Sequence, residues 1–330
     1  MDLARIGLGT YLGAADDATD AAYADAARAF LAAGGNVLDT AANYRMGRSE
    51  RALGAALEGV DRASVFVSTK AGYLPMGDGL RQESPAAWFQ RVLAGPGILA
   101  AGEVVDGCHA MTPRYIAHQA RVSLESLRLD RLDLLHLHNP EQQLGSLSRP
   151  AFREAIRRAF GACEALVAEG LVGAYGCATW NGFRVPPEAR DHLSVEELLE
   201  DAEAVAGKGH HFRWIQLPLN LAMPEAFLKP TQAFGGRRMP ALEAARAAGL
   251  RVQVSASLMQ ARILSHLPQE PGAVLPGCAT PAQAALQFAA SCPGVDVALC
   301  GMAKREHVAD NLAVLALPPA PAADLEGLLR

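Results

Sequence analysis

Lys70 is the first residue that asks for a chemical explanation. The chain has only four lysines (Lys70, Lys208, Lys229 and Lys304) among thirty basic residues, so arginine fills most cation positions. Lys70 ends an apolar run, Ser64–Lys70, that reads as a β-strand. An ammonium group there either snorkels at a rim or answers a carboxylate. The preceding strand-like run, Asn36–Ala41, supplies one in Asp39, and on neighbouring strands the two would form an ion pair. The run Asp133-Leu134-Leu135-His136-Leu137-His138 adds two imidazoles spaced i and i+2, hence on one face of a strand, His138 at the rim and His136 one layer deeper. Two such histidines become metal ligands only when a third donor converges, and Asp39 is the one nearby candidate. The stronger reading makes His136 a core residue with its hydrogen bonds met.

The elements that carry these residues alternate along the whole chain, as in a parallel sheet with crossover helices. The expected strands are Arg5–Tyr11, Asn36–Ala41, Ser64–Lys70, Leu132–His138, Gly173–Ala178, Phe212–Asn220, Arg251–Ser257 and Asp296–Gly301. Between them the periodicity predicts helices over Asp17–Ala33, Ser49–Leu57, Pro113–Leu127, Pro150–Ala168, Val195–Ala206, Pro240–Ala248, Pro281–Ser291 and Glu306–Leu315. Gly34-Gly35, Gly170 and Gly249 stand where helices close, and Ser49, Ser194 and Thr280 where side-chain oxygens cap helix starts. Eight β/α units without a linker-like break predict an α/β fold, a (β/α)8 TIM barrel forming a single domain over residues 1–330. Between the third strand and its helix, Ala71–Met111 is far longer than an ordinary βα loop. It contains Trp88 and Phe89, and its position predicts a lid or substrate wall over the barrel mouth, residues 71–111.

Composition narrows the partners. Half of the residues are hydrophobic, 20% are charged and the net charge is −5, without a basic cluster longer than Arg237-Arg238 or Lys304-Arg305. That argues against nucleic acid and for a small molecule. No stretch is long and apolar enough to span a bilayer, and Met1-Asp2-Leu3-Ala4-Arg5 lacks a signal-peptide pattern, so a cytoplasmic location is the default. Six cysteines without C-x-x-C spacing give no zinc site and no redox dithiol, and none is assigned to a metal. The reading leaves room for a homo-oligomer.

Asp39-Thr40-Ala41 followed by Tyr44, Gly47, Ser49-Glu50 and Leu53-Gly54, then Ser68-Thr69-Lys70, then Asp133-Leu134 with His138-x-Pro140, resembles the aldo-keto reductase superfamily in order and spacing. The resemblance runs on to Gln216, Asn220, Ser257 and Asp310-Asn311. It implies a catalytic tetrad of Asp39, Tyr44, Lys70 and His138. It further implies a nicotinamide cofactor, NADP(H) ahead of NAD(H), and a carbonyl or alcohol substrate. Carbonyl reduction needs a hydride donor and a proton for the developing alkoxide. A phenol, at a pKa of ~10, is a weak acid that an adjacent ammonium would tune toward working pH. Asp39 would keep Lys70 charged, and His138 would hydrogen-bond the substrate oxygen.

By the same resemblance, the cofactor falls to Gly9, Thr10, Tyr11 and Asp39 at the first two strands, then to Thr179, Gln216, Ser257, Met259 and Arg262. Gly301, Lys304, Arg305, His307, Asp310 and Asn311 complete the set. The pattern departs at Ala178-Thr179, where the family has Ser-Asn, and at Ala256, where an aromatic commonly stacks on the nicotinamide. Lys304 and Arg305 are the cations available for a 2′-phosphate. Substrate contacts are expected from Tyr11, Trp88, Phe89 and Trp180. Two other functions stay open: a Schiff-base aldolase using Lys70, and a nicotinamide-binding redox sensor with little turnover.

Overall fold

The computed structural model describes residues 1–76, 83–267, 270–273 and 275–329. Among them, parallel strands close in the order β1 (Ile6–Gly9), β2 (Val37–Asp39), β3 (Phe66–Ala71), β4 (Leu132–His138), β5 (Val172–Ala178), β6 (Phe212–Pro218), β9 (Arg251–Ser255) and β10 (Val297–Gly301), which returns to β1. This is the expected eight-stranded (β/α)8 barrel. A two-stranded antiparallel hairpin, β7 (Gln232–Phe234) and β8 (Arg237–Met239), interrupts the alternation inside what reads from sequence as a plain loop.

Helices α1 (Asp17–Ala32), α2 (Arg48–Ala56), α4 (Pro113–Leu127), α5 (Arg149–Ala168), α6 (Val195–Ala206), α8 (Ala241–Ala247), α9 (Pro281–Ser291) and α10 (Arg305–Leu312) follow their strands. Short α3 (Pro85–Phe89), α7 (Glu225–Leu228) and α11 (Ala322–Gly327) were not foreseen. Most starts are made by short polar caps: Ser194 accepts from the Glu197 N–H and Thr280 from that of Gln283. Ser49 is a correction. It lies inside α2, fully buried, and its hydroxyl donates to the Thr10 carbonyl at 2.8 Å, tying α2 to the end of β1.

The alternation of side chains along each strand builds two different interiors. Outward-facing Leu8, Leu38, Val67, Leu135, Leu137, Cys177, Ile215 and Val254 form the apolar layer under the helices. The other set carries polar groups into the barrel. Ser68 Oγ donates to Asp39 Oδ1 at 2.8 Å, Gln253 Nε2 to Ser68 Oγ at 3.3 Å, and Gln216 Nε2 to Gln253 Oε1 at 2.9 Å. His136 Nε2 meets the same Gln253 oxygen at 3.0 Å. Each of these side chains thus finds a partner inside the barrel, but His136 Nδ1 has none among the described residues, so the expectation that its hydrogen bonds are all met holds only for Nε2.

The Ala71–Met111 segment has a small core of its own, in which Leu74, Trp88, Leu93, Leu99 and Ala110 pack on Tyr115 of α4. Residues 77–82 of that segment lie outside the described residues. No helix among the described residues is long and apolar enough to cross a membrane.

Room for His136 depends on one missing methyl group. A Cβ on Gly176 would sit 2.3 Å from the Trp214 carbonyl oxygen and 2.8 Å from His136 Nδ1. Gly176→Ala is therefore expected to destabilise the barrel by roughly 1–3 kcal/mol, as overpacking does, which a urea melt would register as a lower midpoint at unchanged slope. An unmoved midpoint would show that this floor is slack.

Candidate active site

Strand register brings the chemistry together. Asp39 pairs with Ser68 across β2 and β3, Lys70 with His136 across β3 and β4, and His138 with Ala178 across β4 and β5. All four expected tetrad residues therefore stand at the C-terminal mouth, where barrels of this class place their sites. Lys70 Nζ donates to Asp39 Oδ2 at 2.6 Å and to the Thr40 carbonyl at 2.7 Å, with Lys70 1% and Asp39 3% exposed. The other Asp39 oxygen accepts from Ser68 and, at 3.0 Å, from Gln216. Burial on its own would discharge Lys70, but Asp39 and Tyr44 hold its ammonium above the ordinary lysine value.

Tyr44 follows β2 on a tight turn. Its ring lies 4.8 Å from Lys70 Nζ, centroid to atom, and 5.8 Å from the His138 ring. Burial raises the phenol's pKa, and the neighbouring ammonium pulls it only part of the way back. Burial and Lys70 thus act on Tyr44 in opposite directions, and it is a protonated phenol at neutral pH. His138 is held neutral, its pKa driven well below 6.5 by burial and by Lys70. His136 is likewise neutral, at about 4, and fully buried.

Two cavities open at this mouth and meet at Tyr11, Tyr44, Gln216, Ser255, Ala256 and Gln260. The larger, about 800 Å³, runs toward α9 and α10 and is lined by Gly9, Thr10, Tyr11, Asp39, Gln216, Ser257, Gly301, His307, Asp310 and Asn311 from the expected cofactor set. The smaller, about 510 Å³, is bounded by Tyr44, His138, Thr179, Trp180, Met259 and Arg262. Met259, Arg262 and Thr179 therefore line only the smaller cavity, with His138 and Trp180, apart from the expected cofactor residues that line the larger one.

Lys304 and Arg305 line neither cavity. Arg305 is committed to a bidentate pair with Asp25 of α1, its Nε 2.5 Å from Asp25 Oδ2, and Lys304 stands 3.8 Å from Glu306 at the surface. An exposed carboxylate across the helix layer captures the guanidinium, which sequence spacing alone does not reveal. Trp88 and Phe89 are also elsewhere: Trp88 is 6% exposed within the insertion's own core, and Phe89 packs against that core. What the insertion does bring to the smaller cavity is Tyr73, three residues past Lys70. The Tyr73 hydroxyl donates to Gln142 and accepts from Asn139, and its ring packs edge-on against His138 at 5.0 Å. His109, at the segment's far end, contacts the His138 carbonyl oxygen at 2.7 Å.

Asn43 and Asn139 complete that cavity and were also missed. Their signal was present in principle, since both flank tetrad residues in the chain. The loop after β9 lies between the cavities in a conformation few side chains adopt, with positive φ at Ala256, Met259, Gln260 and Ala261. Ser257 within it is 1% exposed, and its hydroxyl, lining the larger cavity, has no hydrogen-bond partner among the described residues.

Comparison with known proteins agrees with this geometry. The model of the aldo/keto reductase family matches residues 5–193. A D-threo-aldose 1-dehydrogenase from a Pseudomonas species is 37% identical over 147 residues, which is 44% of this chain and 40% of that relative's length. Among solved structures, an aldo/keto reductase from Klebsiella pneumoniae in complex with NADP and acetate superposes with a TM-score of 0.66 at 22% identity, over 99% of this chain and 90% of the other. A holo-form aldo-keto reductase from Bacillus halodurans gives a TM-score of 0.66 at 20% identity, over 99% and 93%. The closed barrel, the clustered Asp39, Tyr44, Lys70 and His138, and a family match across more than half of its length lead to one conclusion: this chain belongs to the aldo/keto reductase family.

Proposed function

We propose that the protein is an NADP(H)-dependent oxidoreductase that interconverts a small aldehyde or ketone with its alcohol, with Tyr44 delivering or receiving the proton. The observation that carries this reading is the buried Lys70–Asp39 pair set beneath a protonated phenol at the junction of two cavities. The larger cavity suits a dinucleotide. Ser257 offers it an unmet buried hydroxyl, and the first turn of α9, at Thr280, Pro281 and Ala282, lines it with the positive end of the helix dipole. Gly9 and Gly301 keep its floor open, since a Cβ there would touch nothing closer than 3.7 Å. When bound, the nicotinamide supplies or accepts the hydride.

The chain's own residues do the rest. A carbonyl in the smaller cavity would lie between Tyr44 and the neutral imidazole of His138, which can donate one hydrogen bond to its oxygen. An alkoxide forming there is a far stronger base than a phenolate, since water-like O–H groups have a pKa of ~15.7. The forming alkoxide is therefore the group that takes the Tyr44 proton. Lys70 then stabilises the phenolate left behind, and Asp39 keeps Lys70 charged.

The same geometry argues against the two other functions. An imine at Lys70 needs a neutral amine, whereas this one is charged, buried and bonded to two acceptors. A sensor without turnover would have no use for a complete acid with its ammonium. The resemblance to an aldose dehydrogenase, with amides and aromatic rings around the smaller cavity, favours polyhydroxylated aldehydes among the substrates.

Removing the carboxylate should expose the cost of burying Lys70. Asp39→Asn is expected to lose roughly 3–5 kcal/mol of stability, because the ammonium is left without its counter-charge. A loss under about 1 kcal/mol by urea melt would mean that Thr40 and ordered water hold Lys70 unaided. For the reaction itself, quenching of protein fluorescence by NADPH and NADH, followed by turnover on aldoses, aromatic aldehydes and diketones, is expected to give cofactor binding and reduction of at least one carbonyl class. Cofactor binding without turnover on the whole panel would instead favour the sensory role.

A further inference from the structure

Trp180 presents an odd problem of placement. Its indole is 49% exposed at the edge of the smaller cavity, so packing gives it little orientation, and it follows β5 on a turn outside any helix or strand. The turn is held from the neighbouring loop, the one after β4. Glu141, three residues past His138, is 8% exposed, and its Oε1 accepts from the backbone N–H of Trp180 at 2.8 Å, of Asn181 at 3.2 Å and of Gly182 at 3.3 Å. Three successive N–H groups converging on one oxygen form an anion-binding concavity, filled here by the protein's own side chain.

The same turn is gripped from its other side. Arg184 Nε donates to the Trp180 carbonyl at 3.0 Å, and its Nη1 pairs with Glu225 of α7 at 2.8 Å, two residues beyond the cavity-lining Met223. The contacts thus tie together the loops after β4, β5 and β6, each of which gives side chains to the cavity.

We propose that Glu141 is a positioning residue for substrate selection: by gathering the N–H groups of residues 180–182 it fixes Trp180 as a wall opposite Tyr44 and His138. This rests on the reading that the smaller cavity receives the carbonyl substrate. Burial lifts the carboxyl to about 7 and the backbone donors hold it from rising further. Either protonation state leaves Oε1 as an acceptor, while Oε2 has no hydrogen-bond partner among the described residues. An amide therefore keeps the acceptor, whereas an apolar isostere takes it away from all three backbone donors.

The test compares Glu141→Gln with Glu141→Leu in full-length protein with NADPH. Glu141→Leu is expected to raise KM for the preferred substrate about ten-fold or more, with cofactor affinity and the kcat for a small generic aldehyde within about two-fold of wild type, and Glu141→Gln to restore KM. A second readout needs no turnover. The chain holds three tryptophans, so 5-fluorotryptophan labelling gives a simple fluorine spectrum, with Trp180 assigned by Trp180→Phe. In Glu141→Leu the Trp180 resonance should move toward the solvent-exposed position while those of Trp88 and Trp214 stay in place.

If Glu141→Leu does not fold, Arg184→Met loosens the same turn and should move the same resonance and the same KM. An unmoved Trp180 resonance, or a KM unchanged in folded Glu141→Leu, would overturn the proposal. Wild-type protein that reduced no carbonyl would overturn the functional reading instead, and the fluorine spectrum would still decide the role of Glu141.

Discussion

The structure of the barrel mouth depends on the ion pair between Lys70 and Asp39. A lysine that is 1% exposed stays charged only where a carboxylate and further acceptors replace its water, and here Asp39, Thr40 and Tyr44 do so. Asp39 must in turn have its second oxygen satisfied, which recruits Ser68 and Gln216, and these draw in Gln253 and His136. One buried charge thereby dictates a polar floor contributed by five strands. Such a floor is unforgiving, since a half-satisfied buried network costs more than an apolar one. It also explains why the interior accepts a glycine at position 176, beside His136.

A second constraint acts on Tyr44 from its C-terminal side. Arg45, Met46 and Gly47 follow it with φ of 50°, 59° and 79°, three left-handed residues in a row of which only the last is glycine. Non-glycine residues hold that conformation only when their surroundings over-determine it. The Arg45 guanidinium supplies the restraint, donating to the Ala14 and Asp16 carbonyls and to Asp20 at 2.5 Å, over the Tyr23 ring. The turn that presents the phenol is therefore clamped to the loop between β1 and α1, which also borders the larger cavity through Leu12. The proposed proton donor and the rim of the proposed cofactor site are thereby tied to each other.

The barrel was legible because its signals are local and repeated. Apolar runs of strand length alternate with helical runs, and β4, α4, α6 and α9 fall where their periodicity and caps place them. The tetrad was legible for a related reason, since strand ends fix both direction and depth. What spacing does not carry is competition between partners. Ser49 looks like a helix cap until β1 offers the Thr10 carbonyl, and Arg305 looks like a phosphate ligand until Asp25 appears across the helix layer. Trp88 looks like a pocket wall because nothing in the chain announces that the 71–111 segment builds a core of its own. Tyr73, Glu141 and Arg45 were passed over because their roles arise from contacts between loops, and loops have no period.

In the proposed function Tyr44, poised by Lys70 and Asp39, supplies the proton for carbonyl reduction. Its most direct test is the single-turnover rate of Tyr44→Phe at saturating NADPH, with cofactor affinity measured on the same protein. The expected result is a loss of about 10²–10⁴-fold in the chemical step, the range of a general acid, with cofactor affinity within about two-fold of wild type. A variant that kept more than roughly a tenth of the wild-type rate with chemistry limiting would contradict it.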